Sequence, residues 1–309
     1  MTAAARSLRS ASVKSRRARR VDRIATVALW AVAGFVLLLL GSILAYFVVA
    51  SIGVVSLNFL FGNPSDSEIG GIFPLFWNSI YILGLTMLIS VPLGVLAGIY
   101  MAEYAGEGRL TNAIRFAEEA ISSVPSIVVG LFGFLAFVSI MGWGFSAIAG
   151  SLALTLFNLP LLARLTEQAL RAVPADERSG SLALGATKWQ TIRHVVLPLA
   201  IPGIITGIIL TAGRVFGEAA VLIFTSGQST PTGYDFTNFN ITDPSSPWSP
   251  FRPATTLAVF VWKENSEGLG NFVHELATGT SAILLATVLV FNLCARLFGR
   301  FLSRRYTAA

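Results

Sequence analysis

Residues 167–203 read EQALRAVPADERSGSLALGATKWQTIRHVVLPLAIPG, a charged and patterned island between two apolar runs, 145–162 and 198–224. Its punctuation predicts two short helices. Pro174 breaks the incoming helix, 175–184 has helical composition, and Gly185 ends that segment. A second short helix is expected over 187–196, with Pro198 opening the next apolar run. An ordinary connection between apolar helices is shorter and less patterned.

The surroundings of the island fix its solvent. The chain is 54% hydrophobic and only 12% charged, roughly half the charge of a typical soluble domain. Apolar runs at 24–52, 73–101, 120–141, 145–162, 198–224 and 280–298 approach or exceed the length needed to cross ~30 Å of hydrocarbon. The expectation is an all-α polytopic membrane protein with six transmembrane helices, not a large soluble core. The first run is too long for a signal-peptide core of about 7–15 residues, so it reads as a retained helix. Glu118 and Glu119 are expected to open the third span, acids being favourable at a helix N-terminus. Pro92 lies inside the second span, where neighbouring helices re-satisfy the freed backbone groups. Cys294 is the single cysteine, which excludes an intrachain disulfide, and His194 and His274 form no metal cluster with it.

The basic residues set an orientation. Eight lie in the tail 1–23, two at 109 and 115, five from Arg164 through the island, and four at the C-terminal end. The other side carries only Arg252 and Lys263, and Arg214 falls inside a span. The positive-inside rule then places both termini and the island in the cytoplasm. The +6 net charge therefore reports topology and gives no sign of nucleic acid as a partner.

The island resembles the cytoplasmic signature of permeases of binding-protein-dependent ABC importers: Glu-Ala-Ala, three residues, Gly, nine residues, Ile, one residue, Leu-Pro. At those spacings this chain has Ser179-Gly180-Ser181, Gly185, Val195 and Leu197-Pro198. The Gly and Leu-Pro match, Val195 replaces Ile, and Ser179 stands where the family has an acid; Asp176 and Glu177 lie nearby. The segments 123–134, 165–174, 184–198 and 202–225 look like the PstA-type permease subunits of phosphate importers. The resemblance implies a type I ABC importer permease fold, with a basic cytoplasmic tail (1–23), a first transmembrane helix and outer loop (24–72) and a permease core (73–303). The coupling segment, 167–197 within the 167–203 loop, would dock on a separate ATPase that binds ATP and Mg, through Ser179, Gly180, Ser181, Leu184, Gly185, Val195, Leu197 and Pro198. It also implies a second permease subunit and an extracytoplasmic phosphate-binding protein above the outer loop 225–278. No Gly-x-x-x-x-Gly-Lys-Ser/Thr loop is present, so this chain is expected to have no ATPase site, no catalytic residue and no cofactor or metal of its own.

Arg214 falls near the middle of the fifth span, where a charge costs ~2.5–3.5 kcal/mol on insertion scales and marks a partner or a pathway. Glu218 is four residues on and is expected on the same helical face, as an orienting partner or as a merely structural pair. A guanidinium fork suits phosphate oxygens. Arg164, at the island end of the fourth span, is either a topology anchor or part of the exit path, the resembling family having an arginine at the matching position. The substrate path is thus expected at Arg164, Arg214 and Glu218, with inorganic phosphate as cargo and lipid as surroundings. Sulfate or molybdate transport is the alternative, and a non-transporting membrane scaffold is a second class.

Overall fold

The computed structural model describes residues 3–63, 70–106, 108–229, 234–268 and 273–307. The chain divides into two compact units, Met1–Ile52 and Gly53–Ala309. The first is one helix, α1 (Ala3–Ala50), whose apolar run from Ile24 onward is long enough to cross a membrane. Trp30, Phe35, Leu38 and Val49 are exposed on different sides of it, as expected of a helix whose solvent is lipid.

The second unit begins with α2 (Leu57–Phe61), N-capped by Ser56, whose Oγ accepts the Phe59 N–H at 3.1 Å. Four long helices pack together in this unit. α3 (Phe73–Ile99) widens into a π-helical turn through Tyr104, and α6 (Ala147–Arg171) runs alongside it in the same direction. Glycines bring the two together: a methyl on Gly94 would lie 2.8 Å from the Leu162 side chain, and one on Gly98 2.5 Å from Thr166. α9 (Leu197–Gly217) lies antiparallel to α6, with Gly203 against Ala169 and Gly207 against Leu165. α12 (Val273–Thr307) runs antiparallel to α9, with Gly299 against Ile205 and Asn292 against Gly213. The island and the C-terminal end of α12 therefore share one end of this unit.

The third span is not one helix. α4 (Arg109–Ser123) and the apolar segment Ser126–Ile140, which is α5 (Ser126–Gly133) with a π-helical continuation, meet at 100°. Pro125 has no N–H to donate and drives Val124 to ψ 132°, outside the helical region. Glu118 and Glu119 consequently sit in the C-terminal half of α4 rather than opening a span. Among the described residues five helices are long and apolar enough to cross a membrane, six with this bent pair.

The fifth span also breaks. α9 stops at Gly217, Glu218 is extended (φ −80°, ψ 122°), and α10 (Ala220–Thr225) is a separate short helix. The expected single helix over 198–224 is replaced by a helix, a break and a turn. Among the described residues, the segment after it forms a cap of hydrogen-bonded turns and α11 (Leu257–Glu267), laid on the start of α3.

Candidate functional site

At the island end, the predicted punctuation is built as hydrogen bonds. α7 (Ala175–Ala183) starts after Pro174, and its C-terminus closes in a Schellman arrangement: Gly185 N–H donates to Leu182 O (3.0 Å) and Ala186 N–H to Ser181 O (3.3 Å). Gly185 has φ +86°, a conformation that a side chain would strain. Thr187 and Gln190 then form a reciprocal capping box on α8 (Lys188–Thr191), and Ser181 and Thr191 share a 2.9 Å hydroxyl contact that ties α7 to α8. The second helix does not end before Pro198. It passes through a π-helical turn, Ile192–Val196, straight into α9, so one continuous rod runs Lys188–Gly217. The wide turn accommodates Pro198, which offers no N–H to the preceding turn.

The rod and α7 are braced from below. Glu167, 5% exposed, accepts from Arg115 of α4 at 2.6 Å and pairs with Arg171 at 2.9 Å. Arg178 of α7 pairs with Glu103 and donates to Leu170 O at 2.6 Å. These contacts link α4, the end of α3, α6 and the island. Ser179, at the position of the missing acid, turns its hydroxyl back on its own helix, to Ala175 O and Asp176 O. Leu184, 91% exposed, is the most exposed large apolar side chain among the described residues. It forms an apolar knob in the turn between α7 and α8, outside the candidate membrane spans.

Arg214 occupies the last turn of α9, where a cation suits the helix dipole. The α6–α9 register sets it opposite Phe157, and its guanidinium lies over that ring at 4.0 Å from the centroid. It is exposed and, among the described residues, forms no ion pair. Glu218 does not share a helical face with it, because the helix has ended; the expected pair across one turn is not formed. Arg164 is likewise not at a helix end but seven residues inside α6, two turns from Phe157 on the same face. It is exposed and close enough to Glu118 for the two charges to interact.

Sequence reasoning missed Arg252, taken only as an outer-side charge. It is fully buried. Its Nη1 donates to Asn78 Oδ1 and Tyr234 OH (both 2.7 Å) and to Pro253 O (3.3 Å), while Nε and Nη2 donate to Pro247 O at 3.3 and 3.0 Å. Its main-chain carbonyl accepts the Ala147 N–H at 2.9 Å, satisfying a free donor of the first turn of α6. Burial lowers the Arg252 pKa against the pull of Tyr234 and Tyr81, and burial raises that of Tyr234 against Arg252. Trp77 Nε1 and Tyr81 OH donate to Pro247 O and Trp248 O, so one face of α3 holds the 247–248 turn beside Arg252.

Among the described residues the fold is helical, with a braced polar island at one end of the second unit and Arg214 exposed on α9. The chain matches the family described as binding-protein-dependent transport system inner membrane component over residues 94–308, and it belongs to that family, the permeases of ABC importers. It is 47% identical over 290 residues to the probable ABC transporter permease protein YqgI of Bacillus subtilis, spanning 93% of this chain and 98% of that one. Over 236 residues it is 34% identical to the phosphate transport system permease protein PstA 1 of Mycobacterium tuberculosis, spanning 76% and 72%. Its fold is that of a chain in the bacterial alginate ABC transporter crystallised with its periplasmic protein, at a TM-score of 0.63, 14% identity and coverage of 92% and 96%.

Proposed function

We propose that this permease subunit translocates inorganic phosphate across the cytoplasmic membrane, in an importer driven by a separate ATPase. The observation that carries the proposal is Arg214, a guanidinium on a membrane helix that no acid neutralises among the described residues. A fixed cation without an internal counterion suits a visiting anion, and the planar donor fork suits phosphate oxygens. Likeness over three quarters of the chain to phosphate permeases supports phosphate in particular. Glu218, off the helix beyond Arg214, disfavours a trapped anion, and Arg164 two turns toward the island continues the path.

The charge asymmetry puts the island and both termini in the cytoplasm. There Leu184 is the knob, Gly185 and Ser181 hold its angle, and Val195, Leu197 and Pro198 join it to α9, while Ser179 and Gly180 face the ATPase that holds ATP and Mg. A second permease subunit completes the path, and a phosphate-binding protein docks on the outer cap. The test is uptake of labelled phosphate by the complete importer in vesicles, with unlabelled phosphate, sulfate or molybdate as competitor. Phosphate alone should abolish the signal; equal or stronger competition by another oxyanion contradicts the assignment.

A further inference from the structure

At the island end, α9 and α12 enclose a cleft of about 390 Å³. Its floor exists because Gly299 lets the helices close: a methyl there would lie 2.9 Å from Ile205. Ile209 and Leu210 form an apolar wall that leads from the floor toward the membrane interior. On the other side stand Arg296 and Arg300, four residues apart and so on one face of α12. Both are exposed, as are Leu297, Phe298 and Phe301 beside them. Arg296 lies near the end of the apolar run 280–298, and Arg300 two residues beyond it.

A paired guanidinium head above an apolar furrow at the membrane boundary has the chemistry of a phospholipid. Basic clefts between membrane helices on the cytoplasmic side hold anionic headgroups, and two arginines offer forked donors to a phosphodiester. We propose that this cleft binds an anionic phospholipid of the cytoplasmic leaflet, its headgroup phosphate on Arg296 and Arg300 and one acyl chain along Ile209 and Leu210. The leaflet rests on the orientation proposed above; the site itself does not depend on what the importer carries.

The complete importer, purified in detergent, is to be loaded with phosphatidylglycerol or phosphatidylcholine and bound lipid counted by native mass spectrometry. Wild type should retain phosphatidylglycerol over phosphatidylcholine, and Arg296→Gln with Arg300→Gln should lower that retention about tenfold or more. Leu210→Trp, which fills the furrow and keeps both charges, should lower it as well, and it decides the matter if the double variant does not assemble. Inorganic phosphate should not displace the lipid. Equal retention in wild type and Leu210→Trp, or displacement by inorganic phosphate, overturns the proposal, the latter in favour of a soluble-anion site. Crosslinking of a cysteine at position 210 to the second permease would also overturn it, because a protein then fills the cleft. Failure of phosphate uptake would leave these lipid counts unchanged, so the two proposals fail separately.

Discussion

Arg252 and Arg214 are the same side chain put to opposite uses at two levels of one helical unit. Arg252 is wholly buried, and its donors are spread over five contacts to neutral oxygens of the cap and α3. Arg214 is exposed on a membrane helix, with its guanidinium over the Phe157 ring and no ion pair among the described residues. A buried donor whose partners are all protein is committed to structure, since any ligand would have to break those bonds. A cation left on an aromatic face gives up little to receive an anion. The pair teaches that burial alone does not nominate a residue for the proposed anion path; unspent hydrogen-bonding capacity does.

The strongest way to break the comparison is Arg252→Met. It removes the Arg252 donors from Asn78 Oδ1 and Pro247 O, which keep those from Tyr234 and Trp77, strips Tyr234 OH of the Arg252 donor, and should cost about 1–3 kcal/mol. Thermal unfolding of the purified importer and protease cleavage within the cap measure it. A cap as resistant as wild type, with uptake lost, would make Arg252 the anion contact and invert the assignment. Phe157→Leu should be milder: loss of a cation–π contact of roughly 0.5–2 kcal/mol changes the apparent phosphate affinity several-fold and leaves assembly intact. Unaltered affinity would remove the ring from the account.

The smallest effect concerns acid. Hydrogen bonds from Thr237 lower the Asp235 pKa, and those from Ser245 lower that of Asp243. Their folded values lie below the ordinary aspartate value of about 3.9, so their contribution is present above that value and is lost as pH falls through the folded values. Hydrogen-exchange protection of the 235–246 turns, taken relative to the intrinsic rate at each pH, should therefore stay constant down to roughly pH 4 and fall only below it. A loss of protection nearer neutrality would point to a different titrating group in the cap.

What the sequence made legible was local. Pro174, Gly185, Thr187 and Gln190 act within a few residues of themselves, and the island helices form where they direct. The apolar runs gave the membrane class for the same reason. Breaks inside apolar runs were harder, because hydropathy passes smoothly over them. Pro125 was visible, yet the run around it concealed a 100° bend. Nothing in the run 198–224 announced that α9 would end at Gly217 and strip Glu218 of its helical neighbour. Arg252 was illegible because its acceptor Asn78 lies 174 residues away. Phe157 became the seat of Arg214 only through the α6–α9 register that the small contacts at Gly203 and Gly207 create.

The most direct test is labelled-phosphate uptake by the complete importer carrying Arg214→Gln, with Arg214→Lys as control and assembly checked by size. The account predicts a complex of normal size and thermal midpoint whose uptake falls about a hundredfold with Gln and recovers in part with Lys, which keeps the charge and loses the fork. Uptake by Arg214→Gln at the wild-type rate would contradict it.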